Sequence, residues 1–366
     1  GAGQVSKVGR YTRHGMYLGL ALGIIVLVAG RLLMQAALEV MSIDEGFRDL
    51  TLEYARAVLL GAPGIFIFLA LRFTTEGVGY TRPIMFTSVF SLICNVFLNY
   101  VLMFGHFGAP ALGAEGCGYA SAITMWIVAI ALGSYMTLSP RLRELKIFTR
   151  IGQFRPDLFR EIIVLGVPIS ITITAEVGLF SAISILVGTR GAEITAAHQI
   201  ALSYASAMFM VPLALSSATT VQVGHMLGAG NPVQARIAGF TGIGMCAAFM
   251  AVSATVLLVF RDVIVTLYTD DPVVTGIAMS LMLVAAIFQV ADGIQIGAAA
   301  SLRAYKDTAF PMVINIFSYW VVAFPLGYMA AITYRLPANQ IWAAFIAGLG
   351  IAAVLLTWRF NRLSRP

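Results

Sequence analysis

The sequence predicts an all-α, polytopic membrane protein of about ten transmembrane helices. Two observations predict it. Of 366 residues, 59% are hydrophobic and only 11% are charged, whereas a soluble domain carries roughly a quarter charged residues. So little charge does not cover a water-exposed surface, so lipid must solvate much of the chain. The apolar residues also lie in long runs. Segments 116–140, 237–260, 308–334 and 336–358 contain no Asp, Glu, Lys or Arg. Each is long enough to cross a hydrocarbon core of about 30 Å as a helix. No β-barrel alternation is visible, and spanning helices satisfy their own backbone groups in lipid.

In chain order the spans are expected at 14–38, 54–76, 83–105, 115–138, 161–188, 194–226, 236–260, 273–301, 308–334 and 338–359. The connecting segments separate by charge. Alternate segments, counted from the N-terminus, carry 17 basic residues, and the opposite loops carry only Arg48, Arg190, Arg261 and Arg335. Basic loops stay on the cytoplasmic side. Both termini and the Arg141–Arg160 stretch are therefore expected there, and the count of spans is even. The formal charge of +6 is an orientation signal rather than a nucleic-acid surface. Cys94, Cys117 and Cys246 have no C-x-x-C spacing and read as small apolar fillers.

The chain contains an internal repeat, a common feature of transporter folds. Gly1-Ala2-Gly3 matches Gly228-Ala229-Gly230, Asp44-Glu45 matches Asp270-Asp271, and Leu71-Arg72 matches Leu302-Arg303. Pro83 matches Pro311, Leu98-x-Tyr100 matches Leu326-x-Tyr328, and Pro110 matches Pro337. The six matches run in order at nearly constant offset. The second unit begins near Arg155 and has six spans, while the first has four. The repeat therefore leads one to expect about two further spans ahead of Gly1. The expected organisation is an N-terminal lobe over 1–140, a basic cytoplasmic linker over 141–160 and a C-terminal lobe over 161–366.

Several motifs resemble those of multidrug and toxin extrusion (MATE) transporters of the NorM type. They are Leu71-Arg72 through Pro83, Asn95-x-x-x-Asn99, and Phe107-Gly108-Ala109-Pro110-x-Leu112-Gly113-Ala114-x-Gly116-Cys117-Gly118. Further on come Ala196-Ala197-His198-Gln199, Val223-Gly224-His225-x-Leu227-Gly228, Asp292-x-x-Gln295 and Ser301-Leu302-Arg303-x-Tyr305-Lys306-Asp307. The resemblance covers nearly the whole chain. It implies a family pattern of twelve helices in two pseudo-symmetric bundles, with the first two helices ahead of Gly1. It also implies antiport: a cleft takes cationic or amphipathic drugs and dyes, and uptake of Na+ or H+ drives their efflux. The expected setting is the bacterial cytoplasmic (inner) membrane. The expected partners are small molecules and membrane lipids, with no nucleic acid, no cofactor besides the coupling ion, and a monomeric chain.

Two carboxylates stand out on their own terms. Glu176 is the only charge in 162–189, and Asp292 is the only charge in 272–302. A mid-membrane carboxylate costs several kcal/mol unless it is paired, neutralised or hydrated. One reading is a structural cross-link between helices. The other is a pair that binds the coupling cation, since sodium is a hard ion that prefers oxygen ligands and a proton neutralises a carboxylate equally well. In the resembling family these positions form the cation site of the C-terminal lobe. Phe288 stands where some relatives carry Tyr and offers no oxygen. Phe209 matches a family aromatic position and is otherwise a packing residue.

Gln199 matches a cleft-lining position in relatives, and His198 reads as a structural histidine. Gln289 and Gln295 lie three residues either side of Asp292 and share its helix face. They either supply amide oxygens to an ion or drug or tie helices together. Asp271 matches a drug-contact position and otherwise is an exposed loop carboxylate. In the first lobe Asn95 and Asn99 stack at i, i+4, and the resemblance pairs them with the hydroxyl position of Ser121. Their ordinary role is interhelical hydrogen bonding.

Two other function classes fit the same architecture. A lipid-linked sugar flippase of the same architecture would line its cavity with several basic residues, whereas the mid-span charges here are acidic. A truncated, inert relative is the remaining alternative. An intramembrane enzyme is not expected. The sequence has no Gly-x-Gly-Asp, no H-E-x-x-H, no Gly-x-Ser-x-Gly and no Walker loop.

Overall fold

A computed structural model describes residues 3–40, 45–148 and 155–365. Among these residues all regular structure is helical and there are no strands. Among the described residues nine helices are long and apolar enough to span a membrane, or ten if one bent pair counts as a span. Two compact units divide the chain, Gly3–Ile162 and Ile163–Pro366. The repeat matches at Gly1-Ala2 and Asp44, and the linker residues 149–154, lie outside the described residues.

The first unit contains α1 (Val5–Val40), α2 (Glu45–Leu59), α3 (Ala62–Gly77), α4 (Arg82–Phe104), α5 (Gly113–Leu138) and the single turn α6 (Pro140–Arg143). The span expected at 54–76 is broken: α2 and α3 meet at a 46° bend. The break follows Leu60-Gly61, and Pro63 lies in the first turn of α3. Proline fits an N-terminal turn but does not continue a helix through it. α3 packs on α1 and α5, and α2 and α4 also lie against α5. Glycines set the α1–α3 crossing. A Cβ at Gly23 would sit 2.4 Å from Pro63 Cα, and one at Gly19 would sit 2.8 Å from Phe66 O. Small residues at i, i+4 are how membrane helices bring backbones together. The start of the linker is anchored as well as basic, because Leu142, Leu145 and Ile147 are buried with Phe68, Leu71 and Met136.

The second unit holds most of α7 (Pro156–Gly188), then α8 (Ala192–Gly228), α9 (Pro232–Thr266), α10 (Pro272–Ala304), α11 (Ala309–Thr333) and α12 (Ala338–Leu363). α10 is the central helix and packs on α8, α9 and α12. Its approach to α9 depends on Gly293 and Gly297, where an added Cβ would lie 2.9 Å from Cys246 O and from Ile243 Cα respectively. α9 runs past the expected end at 260, with a kink at Phe260 just before Arg261 and Asp262. α11 widens into π-turns over Phe317–Ala323 and Met329–Thr333. Pro325 lies between them and has no N–H to return to the preceding turn, a defect that local π-turns accommodate. All three cysteines are free thiols.

The repeat is also visible in the helix boundaries. Val5 and Pro232, Glu45 and Pro272, and Arg82 and Ala309 begin equivalent helices, each pair 227 residues apart, while Gly113 and Ala338 are 225 apart. On this correspondence the bent pair α2–α3 is the counterpart of the unbroken α10.

Candidate functional site

The polar residues of the second unit concentrate on α10 and the helices around it. Asp292 is 5% exposed, Gln289 1% and Gln295 3%. All three lie on the face that α10 turns to its neighbours, as their i±3 spacing requires. Gln289 is tied into a chain of hydrogen bonds. The Ser253 hydroxyl of α9 donates to Gln289 Oε1 at 2.7 Å, and the Tyr204 hydroxyl of α8 lies 3.3 Å from Ser253 Oγ. This network joins α8, α9 and α10. By contrast Asp292 Oδ1 and Gln295 Oε1 are buried with no hydrogen-bond partner among the described residues, and so is Gln289 Nε2. Buried polar atoms are nearly always paired, so two unpartnered oxygens on one helix face, one of them a carboxylate's, single out this stretch of α10 as a candidate cation site.

Glu176 is half-buried in the middle of α7. Its carboxylate and that of Asp292 are within electrostatic range of each other. The two sequence-predicted acids therefore share one unit and one electrostatic neighbourhood although 116 positions of sequence separate them. Among the described residues no three His, Cys, Asp or Glu side chains are grouped as a metal site. A cation here would be held by this acid pair plus neutral oxygens.

Phe288, one turn before Asp292, packs edge-on against Phe180, Trp342 and Phe345, with ring centroids 5.8–6.0 Å apart. It is 2% exposed and is held in this aromatic cluster. Phe209 is half-buried on α8. His198 is fully buried and bonded at both nitrogens: Trp342 Nε1–H donates to Nδ1 at 3.0 Å, and Nε2 lies 2.9 Å from Ser184 Oγ. Gln199, the next residue, is exposed on α8. Asp271 is exposed and caps α10, accepting from the Val273 and Val274 amides at 2.8 and 3.2 Å. Its carboxylate thus has a structural task at the helix start.

In the first unit Asn99 donates to Asn95 Oδ1 at 3.0 Å, and Asn95 reaches Thr124 Oγ1 at 3.5 Å. The hydroxyl that Asn95 meets on α5 is thus Thr124, one turn beyond the half-buried Ser121. Asn99 Oδ1 is buried without a partner among the described residues. Two cavities of about 450 and 370 Å³ also lie in this unit. The first is lined by Tyr80, Tyr135 and Arg141 among others, the second by Met16, Leu71 and Trp126 among others, and neither is lined by Asn95, Asn99 or Ser121.

Sequence reasoning missed three residues of α11. Asn315, Ser318 and Tyr319 are each 0% exposed. Their one available signal was spacing: i, i+3 and i+4 place three polar groups on one face of an otherwise apolar run.

The MatE family model matches residues 1–101 and 168–329, more than half of the chain. The crystal structure of the eukaryotic MATE transporter AtDTX14 is similar over 100% of this chain and 82% of its own, with a TM-score of 0.87 and 21% identity. An outward-facing conformation of a multidrug resistance MATE family transporter of the MOP superfamily matches over 98% and 83%, with a TM-score of 0.86 and 18% identity. A MOP superfamily transporter from Pyrococcus furiosus matches over 98% and 84%, at 0.85 and 18%. Its structure is described as having a binding pocket of reverse polarity that suggests a different function. At these identities the likeness is one of fold.

Proposed function

The chain belongs to the MatE family, and from that premise we propose that it exports cationic and amphipathic organic compounds in exchange for a cation bound at Glu176 and Asp292. Membership makes it a multi-pass membrane transporter and not an enzyme. The single observation that supports the finer reading is the placing of two carboxylates from separate apolar spans within electrostatic range of each other, one of them with an unpartnered oxygen. A lone structural carboxylate would be expected to have its hydrogen bonds filled. Acidic groups at membrane depth also favour positively charged cargo over anionic lipid-linked sugars. The polar pair Asn95 and Asn99, and Gln199 on α8, are proposed as secondary contacts for ion or drug. The proposed setting is a bacterial cytoplasmic membrane with both chain ends on the cytoplasmic side.

The test is ethidium efflux from proteoliposomes holding the purified chain, driven first by an inward sodium pulse and then by a pH jump. Efflux under either gradient supports cation-coupled export and names the ion. No efflux under either gradient sinks the proposal for this chain.

A further inference from the structure

The buried polar stripe on α11 is not accounted for by packing. Asn315 and Tyr319 are one α-helical turn apart and Ser318 lies beside Tyr319, all on one face and all fully buried. The Asn315 amide nitrogen and oxygen, Ser318 Oγ and the Tyr319 hydroxyl have no hydrogen-bond partner among the described residues. Each such group costs about 1–3 kcal/mol when left unpaired in the interior. A helix facing lipid or an apolar core would place Leu or Phe there instead.

One member of the stripe, Tyr319, lies close to the acid pair. Trp320 Nε1–H donates to Ala175 O at 3.1 Å, which docks α11 on α7 at the residue preceding Glu176. The Trp320 ring also closes the groove over Gly178, where an added Cβ would sit 3.1 Å from it. Tyr319 precedes Trp320 and belongs to the same core cluster as Leu179 of α7 and Phe288 of α10. Its hydroxyl is within electrostatic range of both Glu176 and Asp292. The π-turns starting at Phe317 set the angular position of Tyr319, and π-bulges often accompany functional sites.

Two carboxylates are a small donor set for a hard cation, which takes its shell from several oxygens. Phe288, on the turn of α10 next to Asp292, contributes none. We propose that Tyr319 supplies a neutral phenolic oxygen to a sodium ion held by Glu176 and Asp292, so that α11 is part of the ion site. This rests on the reading of the acid pair as the cation site, and it makes that ion sodium. The phenol oxygen accepts the ion while its O–H remains free to donate to a carboxylate.

Tyr319→Phe removes one oxygen and keeps the ring, and losing an orphaned hydroxyl leaves the fold at least as stable. The readout is thermal unfolding of detergent-purified protein titrated with NaCl against choline chloride at constant ionic strength. Wild type is expected to be stabilised by sodium, and Tyr319→Phe to need about tenfold more sodium for the same shift, with an unchanged midpoint in choline. Equal sodium dependence in the two proteins overturns the proposal. If wild type has no sodium-dependent shift but a pH jump drives efflux, the assignment of Tyr319 falls while cation-coupled export stands. If neither occurs, both fall.

Discussion

At the scale of single residues the second unit separates polar groups with a structural task from polar groups without one. His198 has both nitrogens bonded, Asp271 caps α10, and Gln289 ties three helices. Asp292 has an oxygen that does none of these. That contrast predicts the outcome of charge removal. Glu176→Gln and Asp292→Asn each reduce ethidium efflux to the background of empty liposomes, and neither lowers the amount of protein in the membrane fraction. Neutral amides keep the shape but not the charge that attracts a cation. Efflux at the wild-type rate from the double variant would falsify the site assignment. The two acids stand out in the sequence because a charge within an apolar run is expensive and rare. Tyr319, Ser318 and Asn315 do not, because neutral polar residues in membrane helices usually bond to a neighbour. Only the fold reveals that these do not. The choice of Thr124 over Ser121 depends on the axial register of α4 against α5, a shift of about one turn that spacing within each helix does not fix.

At the scale of elements, glycines decide which helices come into backbone contact. Gly293 follows Asp292 directly, so the α9–α10 crossing also holds the acid turn in place. Gly293→Leu forces side-chain atoms into the Cys246 carbonyl. Overpacking of this kind costs about 1–3 kcal/mol, which thermal unfolding reads as a lower midpoint. Gly276→Leu on the same helix is the control, since nothing lies within 4 Å of a Cβ there, and its midpoint should match wild type. Most spans were legible as apolar runs, because hydropathy reports burial in lipid. The bend between α2 and α3 was not. Leu59-Leu60-Gly61-Ala62 is continuously apolar, and hydropathy carries no information about direction. Gly61 and Pro63 together were the available signal.

At the scale of the whole molecule the repeat pairs equivalent loops, and the charge asymmetry predicts which side of the membrane they face. Helices 227 residues apart start from loops of the same kind, and those loops carry the same basic bias. Single cysteines introduced into a version with Cys94, Cys117 and Cys246 replaced by Ala test this. A membrane-impermeant maleimide added to intact cells should label Arg190→Cys and Arg335→Cys but not Lys146→Cys or Lys306→Cys. The reverse pattern would invert the orientation read from the loops. The fold class was legible at this scale, because an 11% charged chain needs lipid as its solvent, and its long apolar runs fit spanning helices rather than the alternation of a barrel.

The broken pair α2–α3 bears on how the protein is made. α2 places Arg48, Asp49, Glu53 and Arg56 within 15 residues. Asp49, Glu53 and Arg56 are exposed, while Leu52, Ala55 and Ala57 are buried. Each charge near a helix centre opposes partition from the translocon by about 2.5–3.5 kcal/mol. α2 therefore does not leave the channel for lipid as an independent segment. It must wait until α3 has been synthesised and the two move laterally as one unit. In a cell-free integration assay with glycosylation tags, segment 45–59 should pass through the membrane and segment 45–77 should stop in it. Independent integration of 45–59 would mean that the bend arises after the pair has entered the bilayer, not before.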